Sequence, residues 1–201
     1  MGKQELSNRD NWQTTSQSKA DKAEQDLFTV FENYFKGTCY ELLTKPTHLK
    51  DIYGKVQLSE DESKQIYNPD INIEKQKWGV VPDFAIKNNE TGKILFGEIK
   101  RQDGWVENKK PSAGRGNAHE RLCKIFTPGL SKAYKQASNI QEDILPVWVV
   151  FQGNITRDPK RVREITCWFG DYKENYFMWR PEMTGKDLTD FFDNHLRKYL
   201  E

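Results

Sequence analysis

Residues 82–100 constrain this chain more than any other stretch. They read Pro82, Asp83, Phe84, Ala85, Ile86, then a polar run of Asn88, Asn89, Glu90, Thr91 and Gly92, then Ile94, Leu95, Phe96, Gly97, Glu98, Ile99 and Lys100. Apolar and β-branched residues on both sides of an Asn/Gly turn mark an antiparallel hairpin. Such pairing sets Asp83 and Glu98 nearly opposite each other. Side chains alternate along a strand, so Glu98 and Lys100 share one face.

Two carboxylates brought together across a ladder repel, and either a cation lies between them or one takes up a proton. A hard divalent ion such as magnesium suits oxygen ligands of this kind and completes its shell with water and phosphate. A lysine beside that pair can orient an attacking water or offset charge developing on a phosphate. The residues therefore outline a phosphodiesterase site. At this point an ordinary charged strand end, solvated and without chemistry, accounts for them equally well.

The segment that follows separates the two readings. Residues 113–124 run Ala113, Gly114, Arg115, Gly116, Asn117, Ala118, His119, Glu120, Arg121, Leu122, Cys123 and Lys124. A Gly-Asn-Ala-x-Glu-Arg string shortly after a Pro-Asp...Glu-x-Lys hairpin resembles the EcoRI branch of type II restriction endonucleases, within the PD-(D/E)xK superfamily. The resemblance implies an α/β fold, a single domain with a central mixed β-sheet flanked by helices. It implies that Asp83 and Glu98, with the Ile99 backbone carbonyl, bind Mg2+ and that Lys100 is the catalytic lysine. It further implies that Asn117, Ala118 and Arg121, helped by Glu120, read an AATT core in double-stranded DNA. A homodimer on a palindromic site and a cognate DNA methyltransferase as functional partner follow from the same likeness.

Arg115 departs from EcoRI, which has a small residue there. An arginine fork matches the O6 and N7 acceptors of guanine, as asparagine matches adenine. Arg115 is therefore expected to read an outer C·G pair, giving the site CAATTG; the resemblance implies cuts that leave 5′ AATT overhangs. Glycines on either side allow close approach of the backbone to a groove. Asn117 with Glu120 also forms a plausible capping box for a helix from Ala118 to Phe126, a reading that needs no DNA. Cys123 and Leu122 are expected to face the core. Lys109, Lys110 and Lys124 are candidates for the DNA backbone.

Net charge gives no hint of a nucleic-acid partner, with 31 basic against 30 acidic residues; its distribution does. Lys100 to Lys135 holds nine basic and three acidic residues, where phosphates can be held. Cys39, Cys123 and Cys167 form no CxxC pair, which fits reduced thiols and a cytoplasmic location. His48, His119 and His195 are isolated from one another, arguing against zinc. No apolar run is long enough to span a membrane, and Met1 to Asn8 lacks the apolar core of a signal peptide.

The rest of the chain completes one domain over 19–201, with the catalytic hairpin at 79–101 and the recognition segment at 111–126. Residues 1–18 are polar enough to form a flexible arm. Leu27, Val30, Phe31, Tyr34 and Phe35 recur at helical spacing, with Gly37 to end the helix. Residues 38–60 are expected to be a short helix and loops, followed by a helix over Ser59 to Gln65. Trp78, Val80 and Val81 lead into the hairpin, and Gln102 to Gly116 reads as a loop. Pro128-Gly129 is expected to break the next helical region, with a helix from Leu130 to Ala137. Ile144 to Phe151 reads as a doubly buried strand that pairs only after Pro146. Arg157, Lys160, Arg161 and Arg163 sit on a helix opening near Asp158, as a phosphate clamp or a solvated face. Tyr176 to Trp179 reads as a strand, and Thr184 caps a last helix on which His195 is a packing residue. Two other function classes stay open: a sequence-specific DNA-binding protein that does not cut, and a less specific nuclease on the same scaffold.

Overall fold

The computed structural model describes residues 21–66, 78–101 and 118–201. Among these residues, strands β1 (Tyr40–Thr44), β2 (Phe84–Asn88), β3 (Ile94–Arg101), β4 (Val147–Gln152) and β5 (Tyr176–Trp179) form one sheet in chain order. β1, β2 and β3 run antiparallel, whereas β4 and β5 join β3 in parallel. The sheet is mixed, as expected.

Helices cover both faces because the strands alternate. Phe84, Ile86, Leu95, Trp148 and Val150 point to one side, where they pack with helix α1 (residues 21–34) and the C-terminal helix α6 (Gly185–Phe191) and its continuation. α1 presents Ala23, Leu27 and Phe31 at four-residue intervals, the stripe expected of a core helix. Phe31 meets Trp148 and Phe192 edge-on, both at 5.8 Å. Ala85, Phe96, Val147, Val149 and Phe151 point the other way, onto helices α3 (Ala118–Ile125), α4 (Pro128–Ser138) and α5 (Pro159–Phe169). Every residue of β4 is buried, and it starts directly after Pro146.

The hairpin turn is closed by Asn88, whose side-chain oxygen accepts from the Glu90 and Thr91 N–H groups at 2.9 and 3.3 Å. Gly92, at φ +73°, supplies the left-handed residue and donates back to the Asn88 carbonyl at 2.9 Å. Asn88 Nδ2 also donates to the Leu200 carbonyl at 3.0 Å, tying the turn to the chain's last residues. Short helix α2 (Glu60–Lys64) and α6 both open with capping boxes, Ser59 with Glu62 and Thr184 with Asp187.

Four expectations need correction. Residues 38–60 contain a strand, because Tyr40–Thr44 pairs with β2, a partner some forty residues away that local propensity does not reveal. Trp78, Val80 and Val81 do lead into the hairpin, but its first strand begins at Phe84 rather than at residue 79. The helical region does break between Ile125 and Pro128, but Pro128 opens α4 instead of lying ahead of it, since a first-turn proline lacks only an N–H that would have no helical partner. Cys123 is exposed, because α3 turns Leu122 and Ile125 inward and leaves position 123 on the outer face. The N-terminal arm lies outside the described residues.

Candidate active site

Strand pairing builds the site. Phe84 pairs with Gly97 and Ala85 with Phe96, so one further step of that register sets Asp83 against Glu98. Glu98 and Lys100 continue the face that carries Phe96. The approach is close: a Cβ at Gly97 would lie 2.1 Å from the ring of Phe84. Only glycine lets the strand lie against this ring.

Lys100 Nζ lies 2.6 Å from Glu98 Oε2 and 3.1 Å from Asp83 Oδ2. The Ile99 N–H donates to the same Asp83 oxygen at 3.0 Å. All three side chains are about 15 % exposed (16, 15 and 16 % for Asp83, Glu98 and Lys100), so their charges act with little screening. Burial pushes the Glu98 carboxyl up to about 7, with Asp83 adding to the push and Lys100 opposing it. Burial acts on Asp83 in the same sense, yet Lys100, the Ile99 N–H and Lys45 hold it below the ordinary carboxylate range. Lys100 is raised by its two carboxylates despite burial. The two acids thus carry different proton affinities in one site, an arrangement typical of functional centres.

Three residues around this trio escape the sequence reading. Lys45 Nζ contacts Asp83 Oδ1 at 3.1 Å and Glu24 Oε2 at 2.9 Å. Tyr134, from α4, is buried with its ring edge-on to Phe96 at 5.4 Å. Its hydroxyl is pushed upward in pKa by burial and by the negative field of Glu98. No local motif announces these residues, because each reaches the site through tertiary packing.

The oxygen donors suit a hard cation. When both carboxylates are ionised they carry one negative charge more than Lys100 offsets, and in the absence of a further cation that repulsion adds to burial in driving Glu98 toward the protonated form. Among the described residues no group of three or more His, Cys, Asp or Glu is gathered.

The base-reading candidates fare differently. Arg115, Asn117, Lys109 and Lys110 lie outside the described residues. Ala118, Glu120 and Arg121 occupy the first turn of α3, which begins where the sequence places it, and Lys124 is exposed in its last turn. In the second basic cluster, Arg161 is committed to Glu164 at 2.7 Å and Arg163 donates to the Pro159 carbonyl at 3.1 Å. His195 lies 4.6 Å from the Phe191 ring and 3.4 Å from Glu174, a packing role as expected.

A family model described as type II restriction enzyme MunI matches residues 1–201. The chain belongs to the MunI family of type II restriction enzymes. Type II restriction enzyme MunI from Mycoplasma sp is 61 % identical over 202 residues, covering 100 % of both chains. The crystal structure of MunI restriction endonuclease in complex with cognate DNA superposes with a TM-score of 0.80 at 59 % identity, covering 95 % of this chain and 98 % of that one. Membership identifies the chain as a site-specific endonuclease. No helix among the described residues is long and apolar enough to cross a membrane.

Proposed function

We propose that this enzyme cuts double-stranded DNA at CAATTG by Mg2+-dependent hydrolysis of a phosphodiester on each strand, leaving 5′ AATT overhangs. The observation that carries the chemistry is the part-buried Asp83–Lys100–Glu98 cluster, with the lysine 3.1 and 2.6 Å from the two acids. Asp83, Glu98 and the Ile99 carbonyl would hold the ion. When bound it would polarise the scissile phosphate and lower the pKa of a water nucleophile. Lys100 orients that water and balances charge on the phosphate as it is displaced. Asp83 has the N–H of Ile99 to fix one oxygen, which holds the carboxylate in place without needing the ion. Glu98, raised toward neutrality by burial, is the acid whose charge state is most responsive to what enters the site.

Recognition falls to Arg115 for the outer guanine and to Asn117, Ala118, Glu120 and Arg121 for the AATT core. Lys109, Lys110 and Lys124 would meet phosphates. A palindromic target calls for a two-fold homodimer with one active site per strand. A methyltransferase that modifies the same site would protect the host genome in the cytoplasm. The test is digestion of a plasmid bearing one CAATTG and one GAATTC. Wild type should cut at CAATTG alone, and Arg115→Ala should lose or relax discrimination at the outer pair; cutting at GAATTC by wild type would overturn the Arg115 assignment.

A further inference from the structure

Lys45 stands outside the acid-acid-lysine pattern, yet its ammonium rests on the same carboxylate. Thr44 pairs with Phe84, so Lys45 lies one step further along the same register, opposite Asp83. Its N–H donates to the Asp83 carbonyl at 3.1 Å. Its φ of +46° places it in the left-handed region, rare for a residue with a long side chain. From there the ammonium reaches Asp83 Oδ1 at 3.1 Å and Glu24 on α1 at 2.9 Å. The other Asp83 oxygen is held by Lys100 and the Ile99 N–H, so both oxygens are already engaged.

These contacts differ in what they leave free. Lys100 is buried between the two acids, whereas Lys45 is half exposed and has Glu24 as a second acceptor. Its ammonium can move off Asp83 and keep an ionic partner, at the small cost typical of exposed pairs. We propose that Lys45 is a positioning residue, the resident counter-cation of Asp83 in the metal-free protein, and that its shift toward Glu24 frees Asp83 Oδ1 for a divalent ion. This rests on reading Asp83 and Glu98 as metal ligands.

The direction of the effect separates this role from a merely structural one. If Lys45 only braced the loop, its loss would loosen Asp83 and weaken metal binding. As a competing cation, its loss strengthens binding. A single charge about 5 Å from a dication, even at the dielectric of water, corresponds to roughly a tenfold change in affinity. The experiment is Mn2+ binding to the DNA-free protein, followed through the electron paramagnetic resonance of free Mn2+. Wild type, Lys45→Asn, Lys45→Gln, Lys45→Arg and Asp83→Asn would be compared, with melting curves to confirm folding. Asparagine tolerates the left-handed backbone, and glutamine gives a second uncharged variant. Both uncharged variants should bind Mn2+ about tenfold more tightly, and Lys45→Arg should match wild type. Unchanged or weaker binding in the folded uncharged variants, with binding still lost in Asp83→Asn, would overturn the role of Lys45 alone. Equal binding by wild type and Asp83→Asn would overturn the metal-site reading beneath it.

Discussion

Gly97→Ala is the sharpest test of how packing sets the active site. The added Cβ would lie 2.1 Å from Phe84 Cζ, where carbon atoms in contact ordinarily sit about 3.5–4.0 Å apart. Ring or strand must therefore move by about 1.5 Å. Neither has room: Phe84 is 0 % exposed and its ring meets Trp148 edge-on at 6.1 Å. Overpacking of this kind costs about 1–3 kcal/mol, and confinement on both sides argues for about 3 kcal/mol. For a chain of this length that lowers the melting temperature by roughly 9 °C. Phe84 follows Asp83 and Gly97 precedes Glu98, so the same displacement should lower DNA cleavage at least tenfold, measured well below the melting point. Adding Phe84→Leu should restore at least about 1 kcal/mol relative to the sum of the two single changes. A melting temperature within about 2 °C of wild type, with normal cleavage, would refute the argument.

Other outcomes follow from the same geometry. Glu98 has a folded pKa near 7 against an ordinary value of 4.5, so the metal-free folded state holds the extra proton between those values. Its contribution to stability therefore declines as pH rises from about 4.5 to about 7 and is flat above. Urea midpoints at pH 5 and 7.5 should show this decline in wild type and a smaller one in Glu98→Gln; identical pH dependence would contradict it. Asn175 is buried and donates to the Leu145 and Val147 carbonyls at 2.6 and 2.8 Å, where β4 begins. Asn175→Ala should cost about 2–4 kcal/mol in chemical denaturation by leaving both carbonyls unpaired. Arg115→Ala should lose or relax discrimination at the outer pair while leaving metal dependence as it was, read from a panel of six-base-pair sites.

The hairpin was legible in the sequence because its two strands and turn are contiguous, so local pattern sets the register that brings Asp83 to Glu98. Family likeness extended that reading to residues that periodicity does not single out, such as Arg121, for which a role is proposed. Lys45 was not legible. Its place depends on β1, a five-residue strand that pairs with β2, a partner distant in sequence. Glu24 and Tyr134 reach the site from helices in the same way, by packing rather than by spacing. Cys123 shows the opposite failing: the stripe of Leu122, Ile125 and Phe126 already leaves position 123 outward on a helix. Pro128 shows that a helix breaker and a helix opener are one residue read at different offsets.

The proposed chemistry has Asp83, Glu98 and Lys100 acting together to cut DNA. Single-turnover cleavage of a CAATTG duplex in Mg2+, comparing wild type with folded Asp83→Ala and Lys100→Ala, tests it most directly. Wild type should cleave to 5′ phosphate ends and AATT overhangs, with loss of roughly a thousandfold or more in each variant. Cleavage by either variant at near wild-type rate, or by wild type without any divalent ion, would contradict it.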